Sequence, residues 1–272
     1  MTIYRAKGII DAYRLWALSK DINDMSGRIG RPDITEYISR QIADRLDVSD
    51  ADTVVDVGCG DGSFLAMAFE RGVLSSHLYG ILPTEEEVGR VASRLSTEYG
   101  VAAGRVVMQG LADSIALANE TATKLVCNGV FLLLPNREAF ESSLAELWRV
   151  TRPGGKVLIG EIPEVDEAAI AGTATETQKP RNAAHRAYRV FKVFGIREVL
   201  ARLTRRLALI FGRERIVVVP STSTTWLPPE EFEGIAGKLG FSIVDRYRSP
   251  LLDELKNPMA SSTRWNFILE KR

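Results

Sequence analysis

The chain has 272 residues, with 35 Lys and Arg against 35 Asp and Glu, 45% apolar and 26% charged residues. That is an ordinary globular composition on a length that suits one large domain or two small ones. Zero net charge argues against a dedicated nucleic-acid binder, whose affinity rests on neutralised phosphates. No run approaches the roughly 18 apolar residues that cross a bilayer, and Met1-Thr2-Ile3-Tyr4-Arg5 lacks the apolar core and cleavage site of a signal peptide. Two cysteines, Cys59 and Cys127, form neither a disulfide framework nor a metal-ligand spacing. The expectations are therefore a cytoplasmic protein and no metal. The charges are unevenly placed: residues 181–215 hold ten basic and two acidic side chains, +8 against −8 for the rest.

Helical periodicity opens the chain at 9–17 and again at 35–46. From about Asp52 apolar strand-like runs at 53–57, 77–82, 105–109, 123–128 and 156–161 alternate with helices, the pattern of an α/β fold with a mainly parallel sheet. Thr84-Glu85-Glu86-Glu87 reads as a capping box ahead of Val88, Val91 and Leu95 on one helix face. Asn136 caps a helix with Phe140, Leu144, Leu147 and Trp148, stopped by Pro153-Gly154-Gly155. Residues 163–227 break the alternation with a polar tract at 168–179 that reads as a mobile loop, followed by the basic stretch with its own helical apolar stripe. A helix then follows Pro228-Pro229 up to Gly240, and strands at 241–246 and 263–270 close the chain. One domain over 1–272 is expected: N-terminal helices 1–50, a core 51–162, an insertion 163–227 and a C-terminal helix and strand pair 228–272.

The most informative segment is Val54-Val55-Asp56-Val57-Gly58-Cys59-Gly60-Asp61-Gly62-Ser63. A buried strand ends near an acid, alternate glycines permit a tight turn and close ligand approach, and a helix start offers free N–H groups. Dinucleotide sites use G-x-G-x-x-G, whereas this loop is G-x-G-x-G with Ser63 where that pattern ends in glycine. A chance strand–turn–helix and a nicotinamide-dependent oxidoreductase are the rival readings. With Asp56 before the first glycine, the segment resembles motif I of the class I S-adenosylmethionine-dependent methyltransferases. Arg149-Val150-Thr151-Arg152-Pro153-Gly154-Gly155-Lys156 resembles the segment before their fifth strand, and Pro229-Glu230-Glu231-Phe232 with Gly240-Phe241 resembles their next helix and sixth strand. The resemblance covers about 35–161 and 228–272. It implies a Rossmann-like sheet of seven mainly parallel strands with helices on both faces, S-adenosylmethionine as cofactor and S-adenosylhomocysteine as product. It also implies cofactor contacts at Asp56, Gly58, Cys59, Gly60, Gly62, Leu82, Pro83, Leu111, Ala112 and Asn128.

The chain departs from the family at three places. Leu82 stands where an acid commonly takes the ribose hydroxyls, and Thr84, Glu85 or water are the substitutes. Leu111 in Gln109-Gly110-Leu111-Ala112-Asp113 stands where a carboxylate commonly meets the adenine amine, leaving the backbone of Leu111 and Ala112 to read it. Thr123-Lys124 replaces an aspartate at the head of the fourth strand. These changes keep a catalytically degenerate binding protein as the non-enzyme alternative.

Methyl transfer draws on positioning and water exclusion, with a base required chiefly for hydroxyl acceptors. His185, in the insertion, and Glu161, ending the fifth strand, are the two candidate bases. Glu164, Asp166 and Glu167 follow as exposed acids, His77 reads as structural, and Asn128 either faces the methionine end or caps 129–131. The basic helix around 186–213 is a solvated cap, an arginine-rich reader of an anionic small molecule such as a sugar derivative, or a contact for a membrane surface or lipid-linked substrate.

Overall fold

Strand β1 (Thr2–Arg5) and helices α1 (Ile9–Ala17) and α2 (Pro32–Leu46) precede a sheet whose order follows from its alternating connections. The computed structural model describes residues 2–5, 9–19, 21–28, 30–102, 106–164, 216–219, 227–253 and 255–272. The 168–179 tract, His185 and the basic stretch 181–215 lie outside the described residues. Strand β2 (Val54–Val57) leads into α3 (Ser63–Glu70), β3 (Leu78–Leu82) into α4 (Glu85–Tyr99), and β4 (Val107–Gln109) into β5 (Ala122–Asn128). Then come α5 (Arg137–Val150), β6 (Thr151–Pro163), β7 (Ile216–Val219), α6 (Pro229–Lys238), β8 (Phe241–Leu252) and β9 (Pro258–Lys271).

Seven strands form the main sheet in the order β4-β3-β2-β5-β6-β9-β8, with only the β9 pairings antiparallel. This is the expected Rossmann-like α/β architecture. Both faces are covered, so the parallel strands read as continuous apolar runs. Val54, Leu78, Leu82, Val126 and Leu158 face α2, α3 and α4 through Ile42, Leu65 and Val91. Val55, Ile81, Leu125, Cys127, Val157 and Ile159 face α5 and α6 through Phe140, Leu144 and Phe232. The second layer carries an aromatic chain from Phe131 through Phe140 and Phe232 to Phe267, with centroid separations of 4.7, 6.0 and 4.1 Å.

The helix starts follow the chemistry of their first residues. Thr84 Oγ1 accepts from the Glu87 N–H, and Asn136 Oδ1 accepts from the Ala139 N–H at 2.9 Å, each satisfying a donor that the first turn leaves free. Pro32 opens α2 three residues before its apolar periodicity begins, because a missing N–H costs nothing at a first helical position. Four features exceed the sequence reading. Strand β6 begins directly at Thr151, and β8 and β9 extend to Leu252 and back from Pro258. A parallel pair, Thr2↔Ile216 to Arg5↔Val219, joins the chain start to the end of the insertion. The insertion's two ends also meet, Leu227 N–H donating to Pro163 C=O at 2.9 Å. No helix among the described residues is long and apolar enough to cross a membrane.

Candidate functional site

The sheet changes winding direction between β2 and β5, and a crevice opens there at the carboxyl ends of the strands. Gly58 N–H and Cys59 N–H both donate to Ile81 C=O, at 2.9 and 3.3 Å, folding the loop over the end of β3. Gly58 and Gly60 hold φ of +73° and +55°, which side-chain-bearing residues rarely adopt. A Cβ on Gly58 would lie 2.3 Å from Val130 Cγ2, and one on Gly60 would lie 3.3 Å from Ser26 Cα. The glycines are thus required by the turn and by the N-terminal segment resting on it.

A cavity of about 740 Å³ fills the crevice. Asp56, Gly58, Cys59, Gly60, Leu82, Pro83, Leu111, Ala112 and Asn128 all line it, as does Glu161. Gly62 faces away, its Cα turned to Val91 and Leu95 of α4, so its part is the turn itself. Part of the wall comes from elements to which sequence reasoning assigned no role: Tyr13 and Trp16 of α1, the 25–28 turn, and Thr35, Ile38 and Ile42 of α2. Tyr13 and Trp16 pack edge to face at 5.4 Å, and Arg90 of α4 bonds the Ala17 carbonyl, pinning α1 beside the cavity. Only the apolar stripe of α1 could have signalled this, and such a stripe packs equally well on any core.

The electrostatics divide the cavity. Burial, with Asp61 nearby, pushes the Asp56 carboxyl up to about 8. Asp61 itself accepts from Ser63 N–H at 3.1 Å and pairs with Arg94 at 3.2 Å. Burial raises both thiols, Cys59 and Cys127, well above their ordinary value and leaves them inert. Asn128 Oδ1 is buried with no hydrogen-bond partner and aims into the space that Gly160 leaves open. Asn128 itself lines the cavity, while its Oδ1 is turned toward Gly160 of β6.

Across the cavity Glu161 is held at φ +61°, at an irregularity in the β6–β9 register. Its N–H donates to Asn266 Oδ1 at 2.9 Å, while its carboxylate pairs with Arg28 and, at 3.0 Å, with Arg264. Burial would raise this carboxyl, but the two guanidinium groups outweigh it and hold it below the usual carboxylate range. A carboxylate bonded by two arginines is a weaker base than a free one and is held firmly in place.

The departures from the family pattern have physical explanations. Thr123 Oγ1 donates to Asp52 Oδ1 at 2.7 Å and accepts from Thr53 N–H at 2.9 Å. It ties strand starts together at the end of the sheet opposite the cavity. The N–H and C=O of Leu111 are both bonded to Ser114, at 3.3 and 3.1 Å, so they are not free to read a ring; Ala112 remains, buried on the wall. Leu82 is buried at the end of β3, Glu85 is exposed, and the acid that reaches the cavity from this turn is Glu87. His77 is exposed at the amino end of β3, away from the site. Glu164 pairs with Arg248 at 3.0 Å and accepts from Trp265 Nε1 at 2.6 Å, while Asp166 and Glu167 lie outside the described residues. Among the described residues no group of three or more His, Cys, Asp or Glu is placed to hold a metal ion.

Residues 55–159 match the family model described as "Methyltransferase domain". A curated relative from Saccharolobus solfataricus, named "Probable cobalt-precorrin-6B C(15)-methyltransferase (decarboxylating)", is 26% identical over 132 residues. That match covers 48% of this chain and spans 63% of the relative's own length. Among solved structures, a chain of the complex between the Trm112 methyltransferase activator and a methyltransferase of Haloferax volcanii superposes with TM-score 0.58 at 14% identity, covering 95% of this chain and 96% of that one. Magnesium protoporphyrin IX methyltransferase from Synechocystis PCC 6803, with bound SAH, superposes with TM-score 0.53 at 14% identity, covering 96% of this chain and 93% of that one. At such identities these structures speak for the fold.

Proposed function

We propose, from a chain whose residues 55–159 are a methyltransferase domain of the class I, S-adenosylmethionine-dependent kind, that the protein transfers a methyl group to a small acceptor bearing an anionic group. The residues present fit the cofactor. The glycine turn lines the cavity with backbone, Asp56 offers a buried carboxyl with no cation beside it among the described residues, and Asn128 stands on the same wall. Asp56 and Asn128 would hold the ammonium end, and Ala112 and Pro83 the nucleoside end. When bound, S-adenosylmethionine supplies a methyl group activated by a sulfonium.

The acceptor reading is carried by the Arg28–Glu161–Arg264 cluster. Two guanidinium groups, those of Arg28 and Arg264, gather at one carboxylate on the cavity wall beyond Gly129, whose Cβ position is 3.7 Å from Glu161 Oε2. Arginine's planar fork suits carboxylate and phosphate groups, so a sugar acid or a phosphorylated small molecule is the class we favour. With Glu161 neutralised, this chain works by orienting the acceptor and excluding water. The ends of the 163–227 insertion meet beside β6; the helical lid expected of that insertion lies outside the described residues. Buried free thiols at Cys59 and Cys127 suit a reducing cytoplasm.

The test is calorimetric binding of S-adenosylhomocysteine, followed by methyl transfer to paired charged and neutral acceptors. Arg264→Gln is expected to weaken use of the charged member about tenfold or more, as a charge-assisted hydrogen bond warrants, and to leave cofactor affinity within a factor of about two. No heat with S-adenosylhomocysteine would overturn the reading.

A further inference from the structure

A further carboxylate is buried on the cavity wall. Glu87 is 1% exposed, one helical turn past the end of β3, and lines the cavity together with Leu82 and Pro83. One of its oxygens, Oε2, accepts from Thr84 Oγ1 at 2.8 Å; Oε1 has no hydrogen bond among the described residues. A capping-box glutamate normally turns back to its own helix start and remains near solvent. This one is drawn inside, where burial pushes its carboxyl up to about 7, with the Thr84 bonds acting against the rise.

A nucleoside ligand presents two neighbouring hydroxyls that need acceptors, and open α/β nucleotide sites meet them with an acid just after the second strand of the unit. In this chain Leu82 ends that strand and has no acceptor to give. We infer that Glu87 is the residue that takes the cofactor's ribose hydroxyls, its free oxygen reaching the cavity from the first turn of α4 instead of from the strand end. Thr84 is then a positioning residue: its hydroxyl fixes one carboxylate oxygen and so aims the other. Buried polar groups left unpaired are costly, and this arrangement gives the diol its acceptor. The inference rests on the reading of the cavity as a nucleoside-bearing cofactor site.

The experiment is calorimetric titration of the full chain with S-adenosylhomocysteine and with its 2′-deoxyribose analogue. The wild-type protein is expected to prefer the ribose form by about tenfold or more. Glu87→Gln should lose most of that preference, and Leu82→Asp in the same background should restore part of it by returning a carboxylate to the strand end. Glu87→Asp, which keeps charge and cap but withdraws the group by one methylene, serves as the second variant should Glu87→Gln fail to fold, and is expected to reduce the preference likewise. Equal wild-type affinity for the two ligands, or an unchanged preference in the folded Glu87 variant, overturns the role of Glu87 while leaving the cofactor reading intact. Absence of wild-type binding to S-adenosylhomocysteine overturns both.

Discussion

Asp56 and Glu161 are both carboxylates buried at the carboxyl ends of strands in one sheet, and both face one cavity, yet their acidities move in opposite directions. Glu161 has two guanidinium partners and is held low; Asp56 has no cation beside it among the described residues, has Asp61 near it, and is pushed up to about 8. Burial penalises both charges alike, so the difference is made entirely by who is brought alongside. The Glu161 carboxylate finds its partners within the chain. The Asp56 end is incomplete and becomes favourable only when a cation arrives from outside. The Glu161 carboxylate is thus held by the fold's own pairing, whereas the Asp56 carboxyl is left for a ligand's cation.

Breaking the Glu161 pairing should give the largest effect. Replacing Arg28 and Arg264 together with Met strands Glu161 as a buried charge, and removing the partners of a buried ion typically costs about 3–5 kcal/mol. Urea unfolding of the variant checks this, and a loss below about 1 kcal/mol would mean that Glu161 is not held by that pair. Next is Gly60→Val, which places a branched residue at φ +55° with its Cβ 3.3 Å from Ser26 Cα. Strain of about 1–3 kcal/mol together with a filled cradle should remove measurable cofactor binding in a calorimetric titration, with the far-ultraviolet spectrum kept.

The two carboxylates also predict opposite pH behaviour. Because the folded-state value of Asp56 lies above its unfolded one, the folded state binds the extra proton, and stability falls as pH rises from the usual carboxylate range to about 8. Asp56→Asn should flatten that decline in apo-protein melting curves, leaving a smaller slope from Glu87, pushed up to about 7. Glu161 behaves in reverse: its contribution is fully present above the unfolded value and is lost only as pH falls through its lowered folded one. Acid unfolding should therefore begin at higher pH in Arg264→Gln than in wild type, the smallest of these effects.

The sequence exposed what is local and periodic. The apolar runs of β2, β3, β5 and β6, the caps at Thr84 and Asn136, and the glycine turn with Asp56 each follow from neighbours within a few residues, and the structure has them in place. Arg28 is different: its partner Glu161 lies 133 positions away, and nothing within the 25–28 turn distinguishes that arginine from a solvated one. The β1–β7 pair was hidden for the same reason, since four-residue strands far apart in sequence carry almost no periodicity. Glu87 was read as a cap residue, and it is one; that its carboxylate also turns inward depends on the packing of α4 against β3 and α1. Leu111 was assigned free backbone groups because a tight turn to Ser114 is not written in residue types.

The most direct test is the proton balance of ligand binding at Asp56, whose neighbours Asp61, Cys59, Cys127 and Arg94 are otherwise paired or neutral. Calorimetry near pH 7 in buffers of different ionisation enthalpy should show S-adenosylhomocysteine, which carries an ammonium, releasing close to one proton as Asp56 ionises beside it. 5′-Methylthioadenosine, which keeps the ribose and lacks the ammonium, should lack that proton. Equal proton release by the two ligands, or none by either, would contradict the account of Asp56 as a carboxyl kept neutral until its cation is bound.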